Sequence, residues 1–156
     1  MSEFDCPCGV GHYETCCQPL HLGQAVATTA QQLMRSRYSA FAKHEIDYLV
    51  KTTALGQQHV LDVKAISDWS KANQWLKLDI VQAQEKLDKI HAQVEFKAHY
   101  VAQDQPCQIH HEVSHFVQQN GQWYFLDPTT EQHITMKQAC ICGSGKKFKQ
   151  CCAEFL

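Results

Sequence analysis

Eight of the nine cysteines in this 156-residue chain lie in two tight groups, one near each end. Both groups read C-x-C-G-x-G, then a short polar run with one aromatic residue, then C-C. An internal repeat of this kind indicates duplication of a small unit, so we expect each end to fold around its own thiols. The two groups are Cys6, Cys8, Cys16 and Cys17, and Cys140, Cys142, Cys151 and Cys152.

Four clustered thiols can bind a metal ion, pair as disulfides or hold an iron–sulfur cluster. The N-terminal sequence MSEFDCPC lacks the basic and apolar stretches of a secretory leader, so we expect a cytoplasmic, reducing location that disfavours disulfides. An iron–sulfur cluster is the rival cofactor, but the C-x-C and C-C spacings differ from those of its common motifs. Zn²⁺ takes four tetrahedral ligands, so we expect two structural Zn²⁺ sites, one for each group.

Lysines surround only the second cysteine group. Lys146, Lys147 and Lys149 lie between its cysteine pairs, whereas residues 1–22 contain neither lysine nor arginine. A zinc ion held by four thiolates is a negatively charged site, and these lysines would partly offset that charge. They are also candidates for binding an acidic partner, although a solvated lysine run without a partner explains the pattern equally simply.

The region between the groups has the pattern of helices followed by strands. Thr29 with Gln32 three residues later forms a capping-box pattern that predicts the start of an amphipathic helix. A second helix is expected around 46–50, ending near Gly56, and a third is expected to start at Asp62. On this third helix we expect a buried face made of Val63, Ile66 and Trp69.

Alternating apolar residues predict antiparallel strands after residue 74. A run over 109–118 is joined to 123–126 through Asn120-Gly121, a strong hairpin signal. Helices first and strands after predict an α+β fold in which three helices pack on a curved antiparallel sheet. The expected buried strand positions are Leu76, Leu78 and Ile80, followed by Val94, Phe96, Ala98 and Tyr100.

The segment CICGSGKKFKQCC at 140–152 resembles the SEC-C zinc motif at the C-terminus of the export ATPase SecA. With LMRSRYSAF at 33–41, DYLVKT at 47–52 and NGQWYFLD at 120–127, nearly the whole chain resembles the bacterial YchJ family. That resemblance implies zinc binding by all eight terminal cysteines and a nuclear-transport-factor-like, cystatin-like middle domain. It also implies docking of protein partners, as the motif does for an export chaperone, and it brings no defined activity. The domains would be residues 1–22, 23–136 and 137–156.

The N-terminal copy departs from the SEC-C pattern. Val10 stands where the motif has serine, and seven residues instead of eight separate Cys8 from Cys16. All four candidate ligands are kept, so we expect zinc there too. A lysine-mediated contact is not expected at that end.

A cone-shaped middle domain of this kind can enclose a pocket. On the predicted third strand, His110, Glu112 and Ser114 share one face, and that face or the opposite one could line the pocket. A histidine beside a glutamate could perform acid–base chemistry, but a polar ladder on an exposed strand is the simpler interpretation. Tyr38 and Trp69 are candidate pocket aromatics and are equally compatible with an ordinary core.

Three further residues receive no functional role from the sequence. Arg35 and Arg37 lie two positions apart on the first predicted helix and are expected on the surface, with at most an ion pair. Cys107 precedes a strand and is expected to be an inert, small hydrophobic residue.

Charge and hydropathy limit the classes of function. The formal charge of −2 argues against a dedicated duplex-binding protein, and no stretch reaches the roughly 20 apolar residues of a membrane span. We expect a non-enzymatic interaction module that docks a protein partner, export-chaperone-like or ribosomal in kind, through its zinc motifs. The alternative is a small-molecule-binding or catalytic domain that uses the pocket, with the zinc motifs purely structural.

Overall fold

The computed structural model describes residues 5–156, so the first four residues of the predicted unit 1–22 lie outside the described residues. Short 3₁₀ turns cover Tyr13–Thr15, Leu55–Val60, Phe148–Gln150 and Ala153–Phe155. The main elements are helices α1 (Gln18–His21), α2 (Ala30–Lys43), α3 (Ile46–Lys51) and α4 (Val63–Ala72), and strands β1 (Asn73–Gln84), β2 (His91–Ala102), β3 (Gln108–Gln119) and β4 (Gln122–Leu126).

Within the described residues, the strands form one antiparallel sheet in the order β1-β2-β3-β4. The connection from β3 to β4 is the Asn120-Gly121 turn, whose φ angles of 53° and 76° lie in the left-handed region. Asparagine and glycine tolerate that region, and a two-residue turn of this kind matches the twist of the paired strands. The predicted α+β class and the predicted hairpin are confirmed.

Helix α2 begins where the sequence predicts, and a distant carboxylate fixes its first turn. The hydroxyl of Thr29 accepts a hydrogen bond of 3.0 Å from the backbone N–H of Gln32. The N–H groups of Ala30 and Gln31 donate to the two carboxylate oxygens of Glu85, at 2.7 and 3.0 Å. Glu85 follows β1 directly, so this contact attaches the start of α2 to the sheet and places a negative charge at the positive helix end.

The main core lies between α2 and the inner face of the sheet. Leu33 and Tyr38 of α2 are 1% and 2% exposed, and they belong to the same buried cluster as Val94 and Phe116 of the sheet. The predicted alternation along β2 is confirmed at Val94, Phe96 and Ala98, which are buried, and Tyr100 is partly buried. No helix in the described part of the chain has both the length and the apolar character needed to cross a membrane.

The buried face predicted for α4 is partly wrong. Ile66 packs against the main core, but Val63 is 47% exposed and Trp69 is 43% exposed. The fully buried residue is Ser70, whose hydroxyl donates to the Phe41 carbonyl at 2.6 Å. This hydrogen bond lets a small polar residue sit at the helix contact, which a pattern based on hydrophobicity does not reveal.

The predicted position of Leu76 is also wrong, because β1 contains a bulge there. Trp75 pairs with Tyr100 and Lys77 pairs with His99, which leaves Leu76 without a partner and 46% exposed. The extra residue shifts the alternation, so that Trp75 lies on the inner side with Leu78 and Ile80. A second irregularity follows Ile80, and bulges of this kind bend a strand and increase its twist.

At Gly56 the backbone of the middle domain lies directly against the backbone of the C-terminal part of the chain. Helix α3 ends at Lys51, earlier than predicted, and Gly56 lies in the 3₁₀ turn that follows. Its N–H donates to the carbonyl of Ile141 at 2.7 Å. A Cβ at this position would lie 2.6 Å from that same oxygen. The absence of a side chain at Gly56 therefore permits this contact.

We expect Gly56→Ala to lower the free energy of unfolding by about 1–3 kcal/mol, because the added methyl group displaces the backbone of Ile141. Thermal or urea unfolding measures the change. Gly11→Ala is the matched control, since a Cβ there would meet only the Cβ of Cys16, at an ordinary 3.7 Å. Equal stability of the two variants would contradict the assigned role of Gly56.

Candidate metal centres and the domain cavity

The C-terminal cysteine group converges on a single point. All four sulfurs lie within 4.8 Å of one another and all four residues are buried. The sulfur of Cys151 is 3.6 Å from that of Cys142 and 3.8 Å from that of Cys152. A tetrahedral ion with bonds of about 2.3 Å separates its sulfur ligands by about 3.8 Å, whereas a disulfide needs about 2.05 Å. The spacing therefore fits a single metal ion and not a disulfide.

The N-terminal group has the same arrangement. Its four sulfurs also lie within 4.8 Å of one another, with Cys16 3.4 Å from Cys8 and 3.9 Å from Cys17. Cys16 is the more accessible member, since it is half-buried while the other three are buried. Burial nevertheless raises the pKa of its thiol to about 12. Both predicted ligand sets are thus brought together in space.

A left-handed glycine shapes the first half of each site. Gly9 and Gly143, which follow the C-x-C pairs, have φ angles of 83° and 85°. Their N–H groups donate back to the carbonyls of Cys6 and Cys140, at 2.9 and 3.2 Å. The resulting tight turn lets the two cysteines of each pair face one ion, although neighbouring side chains on an extended strand would diverge.

A 3₁₀ turn with one aromatic residue returns the chain to each site. The N–H of Cys16 donates to the carbonyl of Tyr13 at 3.2 Å, and that of Cys151 donates to the carbonyl of Phe148 at 3.1 Å. Both cysteines then adopt a bent backbone, with ψ angles of −90° and −99°. This bend brings the sulfurs of the two adjacent cysteines to the same side, toward the other two sulfurs of the group.

The one-residue difference between the copies falls beside the second glycine. The N–H of Cys6 donates to the carbonyl of Gly11, whereas that of Cys140 donates to the carbonyl of Lys146, one residue further along the motif. The second glycine of the C-terminal copy, Gly145, has a φ of 85°, and Gly11 has no positive φ. The shorter copy closes with a different turn and keeps all four sulfurs together.

The protonation of the C-terminal thiols shows why the group suits a cation. The pKa of Cys142 lies well below its ordinary value, because the Cys140 and Cys152 thiols and the backbone N–H of Ser144 donate to its sulfur. The Cys152 thiol, as donor to Cys140, has a raised pKa, and burial raises that of Cys151 to about 11. Four adjacent thiols do not ionise together unless a cation stabilises them, so the donor set fits a divalent metal ion.

The C-terminal knuckle, residues 139–152, is fixed to the middle domain by a buried histidine. His91 is 1% exposed, and its Nε2 lies 3.2 Å from the sulfur of Cys152. The carboxylate of Asp88 lies 2.9 Å from the Nδ1 of the same ring, and Phe155 packs on it with ring centroids 4.5 Å apart. Such outer contacts orient metal ligands. The sequence analysis missed His91, which has no local signal linking it to a cysteine 61 positions away.

The N-terminal knuckle, residues 5–17, is held by one face of α2. Arg35 donates from Nη1 to the carbonyl of Cys8 at 3.0 Å, and the hydroxyl of Ser39 lies 3.6 Å from the sulfur of Cys6. The sequence analysis assigned Arg35 no role beyond an ion pair, and that prediction is wrong. Its guanidinium binds a backbone carbonyl inside the cysteine turn.

The three lysines predicted to bind a partner are all exposed. Lys146, Lys147 and Lys149 lie on the outer side of the C-terminal knuckle, and none forms an ion pair with a described residue. The opposite side of the same knuckle is packed, since Phe148 is 6% exposed and the amide of Gln119 donates to the Gly143 carbonyl at 2.9 Å. The knuckle thus presents a basic surface from a fixed support.

The middle domain encloses a cavity of about 300 Å³ between its helices and the inner face of the sheet. The face of β3 that carries Glu112 is the inner one, which settles the alternative left open by the sequence. The five predicted pocket residues all line this cavity: Tyr38, Trp69, His110, Glu112 and Ser114.

Glu112 is held at the cavity wall by its two neighbours on the strand face. The hydroxyl of Ser114 donates to one carboxylate oxygen, and the Nε2 of His110 lies 3.3 Å from the other. The side chain of Glu112 is 32% exposed and that of His110 is 51% exposed. Glu112 therefore offers a partly accessible carboxylate whose orientation is already set by two neighbouring side chains.

The surface position predicted for Arg37 is wrong. Arg37 is 8% exposed and lines the cavity, with its Nη1 donating to the Leu49 carbonyl at 2.8 Å and its guanidinium 4.5 Å from the ring centre of Phe125. Burial lowers the pKa of Arg37 to about 10. Cys107 is exposed, and its expected chemical inertness stays a prediction.

Comparison with known families agrees with this architecture. Residues 29–128 match the family described as the YchJ middle NTF2-like domain, and residues 136–154 match the SEC-C motif. The predicted boundaries at residues 22 and 136 stay predictions.

Relatives of nearly the same length are found among curated proteins and solved structures. A UPF0225 protein of Haemophilus influenzae strain PittEE is 49% identical, covering 100% of this chain and 96% of the relative. A UPF0225 protein of Actinobacillus succinogenes is 46% identical, with 97% of each chain covered. The crystal structure of a SEC-C motif containing protein from Psychrobacter arcticus matches with a TM-score of 0.87 at 46% identity, covering 97% of this chain and 96% of that one.

A more distant solved structure shares the same fold. The solution structure of a SEC-C motif containing protein from Rhodopseudomonas palustris matches with a TM-score of 0.74 at 34% identity, covering 80% of this chain and 96% of that one. The match over the middle domain and the full-length relatives show that the chain belongs to the UPF0225 (YchJ) family, with an NTF2-like middle domain and a C-terminal SEC-C motif.

Proposed function

We propose that each cysteine quartet binds one Zn²⁺ ion as a closed structural site. Each site offers four cysteine sulfurs, their separations fit a single tetrahedral ion, and Zn²⁺ is the metal that closed four-cysteine sites most often hold. An iron–sulfur cluster places several iron and sulfide atoms between its cysteines, which needs more room than a group of sulfurs within 4.8 Å provides. The bound ions would cross-link each knuckle and leave no open position for catalysis.

We further infer that the protein is an interaction module that docks an acidic protein surface on its C-terminal knuckle. The observation that carries this inference is that Lys146, Lys147 and Lys149 are exposed and pair with no described acidic residue. They lie on a knuckle whose opposite side is packed against the middle domain. A rigid support lowers the entropy lost on binding, and a cluster of one charge steers an oppositely charged partner. The N-terminal knuckle carries Glu14 in the corresponding region, Asp5 just before its first cysteine and no lysine, so the two ends would bind different surfaces.

Metal content tests the first proposal. We expect about two zinc ions per chain in protein purified without added metal or chelator, and about one after Cys140, Cys142, Cys151 and Cys152 are all replaced by serine. Replacing Cys6, Cys8, Cys16 and Cys17 is the matched variant and should also leave about one ion. Elemental analysis by mass spectrometry gives the counts. Iron in place of zinc, or no metal, would refute the zinc assignment.

Charge reversal tests the docking role. Lys146→Glu, Lys147→Glu and Lys149→Glu together should abolish retention of acidic proteins from lysate on the immobilised chain, because attraction becomes repulsion. The control carries the same change of charge at Lys51, Lys71 and Lys89, which are exposed elsewhere, and should retain them. Retention should also weaken as salt shortens the Debye length from about 10 Å at 0.1 M to about 3 Å at 1 M. Equal retention by both variants would count against the proposal.

A further inference from the structure

The cavity of the middle domain has the size and walls of a small-molecule site. Its volume of about 300 Å³ lies at the lower end of ligand pockets and holds a molecule of roughly ten to fifteen non-hydrogen atoms. The exposed surface of its walls is mostly apolar, and charged or polar side chains interrupt it. The aromatic residues that line it are Tyr38, Phe41, Trp69, Trp75, Phe96 and Phe125.

The carboxylate of Glu112 keeps free acceptor sites at the wall of this cavity. A carboxylate accepts about four hydrogen bonds, and Glu112 receives only those from Ser114 and His110 among the described residues. These neighbours fix its orientation and leave acceptor sites for a donor from a ligand. A positively charged donor would form the stronger, charge-assisted kind of hydrogen bond.

A second polar group beside the cavity has no partner. Tyr38 is 2% exposed, lines the cavity, and its hydroxyl forms no hydrogen bond with any described residue. Leaving a buried polar atom without a partner destabilises the fold, so native proteins normally satisfy such atoms. A polar atom of a bound molecule would supply the missing partner.

The charges around the cavity favour a cation. Two carboxylates line it, those of Glu112 and Asp127, against the single guanidinium of Arg37. The guanidinium is engaged, because it donates to the Leu49 carbonyl and to the Thr52 hydroxyl at 2.8 and 2.7 Å. An anionic ligand would therefore meet two like charges and a cation that already has partners.

A group of aromatic rings in edge-to-face contact lies at one side of the same cavity. Trp69 lies 5.8 Å from Trp75 and 5.2 Å from Tyr100, measured between ring centres. Trp69 is 43% exposed although it lines the cavity, so its ring connects the cavity to solvent. Tryptophan faces attract cations as well as flat apolar groups. This explains why a tryptophan predicted to be buried is left partly open.

We propose that this cavity binds a small aromatic amine in its cationic form, with the ammonium group donating to Glu112 and the aromatic ring packing against the rings of Trp69 and Trp75 that line the cavity. The site is separate from the C-terminal knuckle and does not depend on the docking role. Binding would bring a cation to a partly accessible carboxylate that Ser114 and His110 already orient.

The test uses three probes of nearly equal size on the full-length protein: 2-phenylethylamine, 2-phenylethanol and phenylacetate. Tryptophan fluorescence reports binding, because two of the three tryptophans line the cavity, and calorimetry gives the affinities. The amine should bind at least about tenfold more tightly than the alcohol, and phenylacetate should be the weakest. Equal binding of amine and alcohol, tighter binding of phenylacetate, or no binding of the amine would overturn the proposal.

Two variants assign the interaction to Glu112. Glu112→Gln should lose about tenfold or more in affinity for the amine and keep its affinity for the alcohol. Glu95→Gln is the matched control, since Glu95 also pairs with a histidine, His111 at 2.7 Å, but on the outer face of the sheet. It should bind like the parent protein. A Glu112→Gln protein with an unchanged unfolding temperature and unchanged amine affinity would refute the assignment.

Discussion

The contact between Glu85 and the first turn of helix α2 fixes the element on which most of the molecule depends. Its carboxylate receives the N–H groups of Ala30 and Gln31 and so sets the position of the helix relative to the sheet. From there the helix presents different residues to different parts of the protein. Leu33 enters the core, Arg35 holds the N-terminal knuckle, and Arg37 lines the cavity. A rotation of α2 would therefore disturb the core, the N-terminal cysteine group and the cavity together.

The two knuckles share a backbone design but are attached by different forces. The N-terminal knuckle contacts α2 through polar groups, such as Arg35 and Ser39. The C-terminal knuckle belongs to an apolar cluster that includes Val117 and Leu126 of the sheet, with His91 inside the contact. Apolar burial holds a surface in place without strict geometry, whereas hydrogen bonds fix particular atoms. The repeated motif thus determines the backbone conformation of each knuckle, and the neighbouring residues determine how that knuckle attaches to the middle domain.

Local signals allowed much of this structure to be predicted from the sequence. The Thr29 cap, the Asn120-Gly121 hairpin and the spacing of the cysteines each act within a few residues, so a pattern reveals them. The wrong predictions concern residues whose positions depend on contacts with residues far away in the sequence. The bulge in β1 leaves Leu76 exposed. Arg37 is buried because its guanidinium donates to a carbonyl of another helix and lies over the ring of Phe125. The contact of His91 with Cys152 likewise depends on the folded chain and leaves no trace in the local sequence.

The compactness of each ligand set bears on the order in which the protein is assembled during synthesis. All the sulfurs of one site come from a stretch of 12 or 13 residues, so closing it requires only a short loop. The N-terminal site can form as soon as its own residues leave the ribosome, before the helix that later holds it exists. The C-terminal knuckle is made after the turn at Gly56 and the strand residues that receive it, so it docks on a surface that is already folded. In translation, the first cysteine group would gather before the domain exists, and the second would dock on it afterwards.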